Sequence, residues 1–228
     1  MSAPHPMNRF LMRLPSHLAT LLISLLLTLS TAAAQAPEPP VPPGTDPGGP
    51  AIAVLGEGID YTVAEIAAKL ARDGEGDPIA WDFTDNDIKP YAPASRLADD
   101  VRTLSKLVAK FRLVVIREAA GDKVAVGRMI AFATQTPARI IVWPDADPKR
   151  PDWPILLEAL KRFPAHVFVI PAIAGVTPAP NLFMPAAVAS EKSAARADLW
   201  SLTARVAAAL AAEPQIDVKA LSSRLAVR

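Results

Sequence analysis

From Ala51 onward the chain alternates short, unbroken apolar runs with segments whose apolar residues recur every three or four positions. No other feature narrows the possible folds as much. The runs are Ala51–Leu55, Ile79–Phe83, Phe111–Ile116, Arg139–Trp143 and His166–Ile170, with a weaker one at Leu182–Val188. An apolar run without alternation reads as a strand covered on both faces. Between the runs, Thr62–Arg72 sets Val63, Ile66, Ala67 and Leu70 on one helical face. Ala98–Lys110 does the same with Val101, Leu104, Leu107 and Val108. Val126–Gln135, Pro154–Phe163, Leu199–Ala212 and Val218–Leu225 complete the helical set. Strands and helices in alternation predict an α/β fold, a three-layer αβα sandwich with a mainly parallel sheet. Ligands of such sheets bind beyond the carboxyl ends of the strands.

The residues before Ala51 follow other rules. Arg9 and Arg13 precede a Leu-rich run from Leu18 to Leu29, and Ser30–Ala36 supplies small residues. That order predicts a secretory signal over residues 1–34, cut after Ala34, with a cut after Ala36 as the second choice. An apolar run of about 12 residues is short of the ~20 that a spanning helix needs. The expected product is periplasmic or secreted, with no membrane span after cleavage. Residues 35–50 hold Pro at 37, 39, 40, 42, 43, 47 and 50. So many rings exclude a helix or sheet interior and predict an extended, solvated tether leading into a domain at 51–228.

The leader carries two of the 24 basic side chains and none of the acidic ones, so its removal takes the formal charge from +1 to −1. A near-neutral domain has no electrostatic footprint for nucleic acid. The chain has no Cys, which excludes disulfides, thiolate chemistry and Cys-ligated zinc.

Ala51–Thr62 reads AIAVLGEGIDYT. Trp81–Asp87 reads WDFTDND, His166–Gly175 reads HVFVIPAIAG, and Ser201–Ala209 reads SLTARVAAA. In this order the segments resemble the motifs of the subtilase family, the subtilisin-like serine proteases. The resemblance spans most of residues 51–228 and implies a subtilisin-like sheet. It also shows what is missing. The place of the family's catalytic Asp falls on Gly56. Alignment on Val101 puts its catalytic His on Leu97. Alignment on Val206 and Ala207 puts its nucleophilic Ser on Trp200. The oxyanion Asn falls on Val176. The stretch between Gly175 and the last long helix is also much shorter than in the family.

A Ser hydroxyl is a weak nucleophile without a base in hydrogen-bond reach. Once the leader is removed, the chain holds one His, His166, at the start of a predicted strand and away from the ligand edge. Loss of a triad member leaves only about 10³–10⁴-fold acceleration over water. Loss of an oxyanion donor removes a further ~10²–10³. The residues therefore predict no catalytic set, and a binding or scaffolding role toward a peptide or protein. Ser190, Ser193 and Ser201 neighbour Lys192, but nothing in their spacing marks a desolvated Lys for Ser-Lys catalysis, and the segment reads as an exposed loop. Two other classes stay open at this level. One is an active subtilase-family endopeptidase with displaced motifs. The other is a nucleotide-binding enzyme using Gly56-Glu57-Gly58, although Tyr61 stands where the dinucleotide fingerprint needs its third Gly. Asp82, Asp85 and Asp87 offer oxygen ligands, but their spacing is that of a solvated turn and not of a calcium loop. No cofactor and no metal are expected. Trp200 reads as a filler of the cleft floor or a binding anchor.

Overall fold

The computed structural model describes residues 38–119, 125–177, 179–186 and 192–225. The predicted leader lies outside the described residues. Among the described residues six strands form one sheet: β1 (Ala51–Gly56), β2 (Trp81–Asp82), β3 (Arg112–Arg117), β4 (Ile140–Val142), β5 (Val167–Val169) and β6 (Leu182–Phe183). Their order is β2-β3-β1-β4-β5-β6, and every pairing is parallel. The helices are α1 (Ala64–Ala67), α2 (Leu97–Leu107), α3 (Ala125–Ala133), α4 (Trp153–Arg162), α5 (Lys192–Ala212) and α6 (Val218–Leu225).

Strand periodicity divides the core in two. Ile52, Val54, Leu113, Val115, Ile140, Val142, Val167 and Val169 face one side, with α1, α2, α5 and α6. Ala53, Leu55, Val114, Ile116, Ile141 and Phe168 face the other, with α3 and α4. Successive side chains point to opposite faces, so an unbroken apolar run can feed both layers. This is the three-layer α/β architecture that the sequence predicts.

Local chemistry sets the helix limits. Pro154 sits in the first turn of α4, and Lys161 and Arg162 in its last, which matches the helix dipole. Asp99 and Asp100 open α2 and Lys106 closes it. α5 has buried residues around most of its girth because it lies between the sheet, α2 and α6. Asn181 is buried beside β6, and its amide donates to the carbonyls of Leu160 (3.1 Å) and Phe163 (3.2 Å), tying that edge to the end of α4.

The helix expected from Leu199 starts at Lys192, and the weaker strand expected over Leu182–Val188 ends at Phe183. Two further segments differ from expectation. The helix expected over Thr62–Arg72 stops at Ala67. Beyond it the backbone joins β3: Ala71 N–H donates to Leu113 O (2.8 Å) and Leu113 N–H to Lys69 O (2.7 Å). The sheet edge competes successfully for groups that a helix would have used internally. The second difference is at residues 38–50, expected as a solvated tether. They carry no strand or helix, yet they run along the domain and hydrogen-bond to it.

Candidate functional site

β1 delivers Gly56 to the carboxyl edge of the sheet. Its φ is 148°, in the region L side chains rarely adopt. A Cβ there would lie 3.9 Å from Asp145 Oδ2, so backbone conformation and not crowding calls for glycine. Gly58 is different. A Cβ on it would stand 2.3 Å from Pro90 O, so this glycine lets the loop at Lys89–Tyr91 cross the segment after β1 closely. Both glycines have local structural reasons, and α1 is four residues long and starts well past them. The strand order also differs from the 3-2-1-4-5-6 order of dinucleotide-binding sheets. These facts tell against the nucleotide reading.

Leu97 is the first residue of α2 and is 2% exposed, and Trp200 on α5 is 1% exposed. Both belong to the core on the α2/α5 side. The Trp200 indole N–H makes no hydrogen bond. Trp200 is therefore a filler with its ring out of solvent. Val176 packs against the core on the opposite side of the sheet. The positions that the resemblance assigns to triad and oxyanion hole thus hold a glycine, two buried apolar side chains and a valine on the other layer.

Above Gly56 lies a charged network that sequence reading does not assemble. Arg96 meets Glu57 (3.4 Å) and Asp145 (3.5 Å). Asp145 also meets Arg196 (3.4 Å). Arg196 Nε donates to both carboxylate oxygens of Asp100, at 2.9 and 3.0 Å. Asp100 is one turn beyond Leu97, and Arg196 is one turn before Trp200. The network therefore pins α2 and α5 together and to the loops after β1 and β4. Burial opposes the Arg196 charge, but the hydrogen bond and charge of Asp100 outweigh it and raise its pKa. The three carboxylates of this network, Glu57, Asp100 and Asp145, are committed to guanidinium partners. Asp145 reads as a polar loop residue in the sequence, and nothing there links it to Arg96 or Arg196.

Among the described residues no imidazole reaches the mouth. His166 precedes β5 at the amino edge, edge-on to Phe163 at 5.9 Å, and its Nδ1 makes no hydrogen bond. Burial and then the nearby Arg139 charge lower its pKa. Ser201 is exposed. Ser190 and the side chains of Lys192 and Ser193 lie outside the described residues.

The aspartates from the last residue of β2 onward form a turn. Asp82 is fully buried and accepts from the backbone N–H of Thr84 (2.6 Å) and Asp85 (3.2 Å). Asn86 has φ 58°, a left-handed turn position that Asn tolerates. Oxygens of Glu38, Asp82 and Asp85 lie within 4.8 Å of one another. The Arg117 guanidinium already occupies that space, at 2.7 Å from Asp82, 3.3 Å from Asp85 and 3.7 Å from Glu38. The cluster is a guanidinium site.

No protein-family model matches the chain, and no curated protein matches it. Among solved structures, a PatG macrocyclase in complex with peptide is similar to it at a TM-score of 0.33 and 14% identity, over 55% of this chain and 51% of that one. The chain thus spans about half the length of the structure it matches. Among the described residues no helix is long and apolar enough to cross a membrane.

Proposed function

We propose that this chain is an exported subtilisin-like domain that has lost proteolytic chemistry and works as a binding or scaffolding module in the periplasm or outside the cell. The observation that carries this reading is the state of the carboxyl edge. The place of the acid is Gly56 at a φ unsuited to Asp, and the places of base and nucleophile are the buried Leu97 and Trp200. A five-member ion network covers the same mouth. A triad needs an acid, an imidazole and a hydroxyl in one hydrogen-bonded line, and this edge supplies no imidazole among the described residues.

The test is exposure of the full chain to a fluorophosphonate probe together with a generic peptide-hydrolysis assay. No covalent label and no turnover are expected. Labelling of any Ser overturns the reading. Export is tested separately by the N-terminus of the protein recovered from the producing cell. Gln35 is expected as the first residue, Pro37 is the second choice, and an intact Met1 in the envelope fraction defeats it.

A further inference from the structure

The segment Glu38-Pro39-Pro40-Val41-Pro42-Pro43 is seated on the domain with a period of three. Glu38, Pro39, Val41 and Pro42 are partly buried, while Pro40 and Pro43 are exposed. Proline fixes its own φ and biases the preceding residue toward extended backbone, so four of the six residues are pre-proline and the segment is directed into a polyproline II helix. That helix has three residues per turn. The contacts keep the same count. The Tyr61 hydroxyl donates to Pro39 O at 2.8 Å, and Arg72 Nη2 donates to Pro42 O at 2.8 Å. These two carbonyls are one turn apart on one face.

The receiving groups are built for this. Tyr61 is 1% exposed and lies 5.3 Å from the Tyr91 ring. Burial, and then the Glu38 charge, raise the pKa of its phenol and keep it a donor. Val41 packs on the same core as Tyr91 and Val63. Arg72 is 5% exposed, and its guanidinium addresses backbone carbonyls, Gly76 O (2.7 Å) and Pro42 O, while its own N–H donates to Asp46 Oδ2 (3.0 Å). Gly44 gives it room, since a Cβ there would come within 3.0 Å of the guanidinium. At the leading end Glu38 meets Arg117. Aromatic hydroxyls and donors reading carbonyls of an extended Pro-rich chain are a recurrent recognition mode.

We propose that Tyr61 and Arg72 form a receptor for an extended proline-rich segment, filled in cis by Glu38–Pro43 and open to a proline-rich peptide in trans once the resident segment is displaced. This holds whether or not the carboxyl mouth has lost its chemistry. The resident ligand has the advantage of a short tether, which corresponds to an effective concentration on the order of millimolar. An outside peptide therefore binds only when the strap is weakened.

The probe is a fluorescent peptide with the sequence of residues 38–46, added to the full chain and to its Val41→Asp variant. Val41 is only partly buried, and near-ultraviolet dichroism from the buried Trp143 and Trp200 reports that the fold is retained. The expected result is at least tenfold tighter binding to Val41→Asp than to the unaltered chain, with that gain lost on adding Tyr61→Phe. Equal binding to both chains, or binding to neither while both stay folded, overturns the proposal. A second measurement does not depend on the weakened strap. The chain has no Cys, so Val41→Cys supplies a single thiol. Slow labelling is expected, made about fivefold faster by Tyr61→Phe, which is the worth of one hydrogen bond. Labelling at the rate of an unstructured thiol overturns it.

Discussion

Two clusters of charge sit at the same edge of the sheet and are built in opposite ways. Around Arg117, three carboxylates share one guanidinium, and two of them come from a single tight turn, Asp82–Asp87. Around Arg196, five side chains from four parts of the chain form a nearly balanced network. The first is anchored by local backbone: Asp82 still accepts two N–H groups if the guanidinium leaves. The second has no local support, and Asp100 depends on Arg196, 96 residues away. A buried carboxylate held by turn geometry survives the loss of its partner better than one held by tertiary packing alone. Substitutions at each cluster test this contrast.

The largest effect is expected for Arg196→Met, which leaves Asp100 buried without its partner. Stability should fall by about 3 kcal/mol in urea unfolding. The double change Asp100→Leu with Arg196→Met should recover most of it, because an apolar pair of similar size replaces a buried ion pair at little cost. If the single change costs under about 1 kcal/mol, the network does not pin α2 to α5.

Next is Arg117→Met, expected to cost about 2 kcal/mol by losing hydrogen bonds to charged groups. The three carboxylates would then lack their cation. Millimolar Ca²⁺ should raise the unfolding temperature of this variant and leave that of the unaltered chain unchanged. A calcium effect of equal size on both would show that the guanidinium does not fill the site.

Glu38 gives a smaller, pH-dependent effect. Burial, followed by the charges of Asp87, Asp85 and Asp82, raises its pKa, and Arg117 only partly offsets them. A carboxyl with a raised folded-state pKa favours the folded form when protonated. Its contribution is present below the ordinary value of 4.5 and is lost as pH climbs through the raised one. Glu38→Gln should therefore stabilise the chain relative to the unaltered one at neutral pH, and the difference should vanish near pH 4.5. A pH-independent difference in urea midpoints would break this assignment.

The smallest effect is expected at Arg96→Ala. This side chain is 66% exposed, so its pairs with Glu57 and Asp145 are screened by water. A change within about 0.5 kcal/mol is expected. A larger loss would mean that the outer rim of the mouth network carries load along with its buried end.

The contrast also shows which parts of the molecule could be read from the residues. The Asp82 turn is legible, because aspartates and asparagine at that density favour local turns. The Arg196 network is not, because its members lie in unrelated segments and each alone reads as a solvated charge. Leu97 and Trp200 are legible as apolar, but their burial on one side of the sheet and the packing of Val176 on the other are products of topology. The short α1 is missed for the same reason. Apolar periodicity is present through Leu70, and only the neighbouring β3 decides that Lys69–Ala71 pair with a strand.

The residue pattern alone sets the order of strands and helices, the parallel α/β class and the proline-fixed extension of residues 38–43. Each of these rests on periodicity or on a single residue's stereochemistry, which act over a few residues. Where that extended segment lies, which charges meet over Gly56 and why Gly58 must lack a side chain are settled by the packed fold. Those depend on distances between segments far apart in the chain, which are set when the two faces of the sheet are buried.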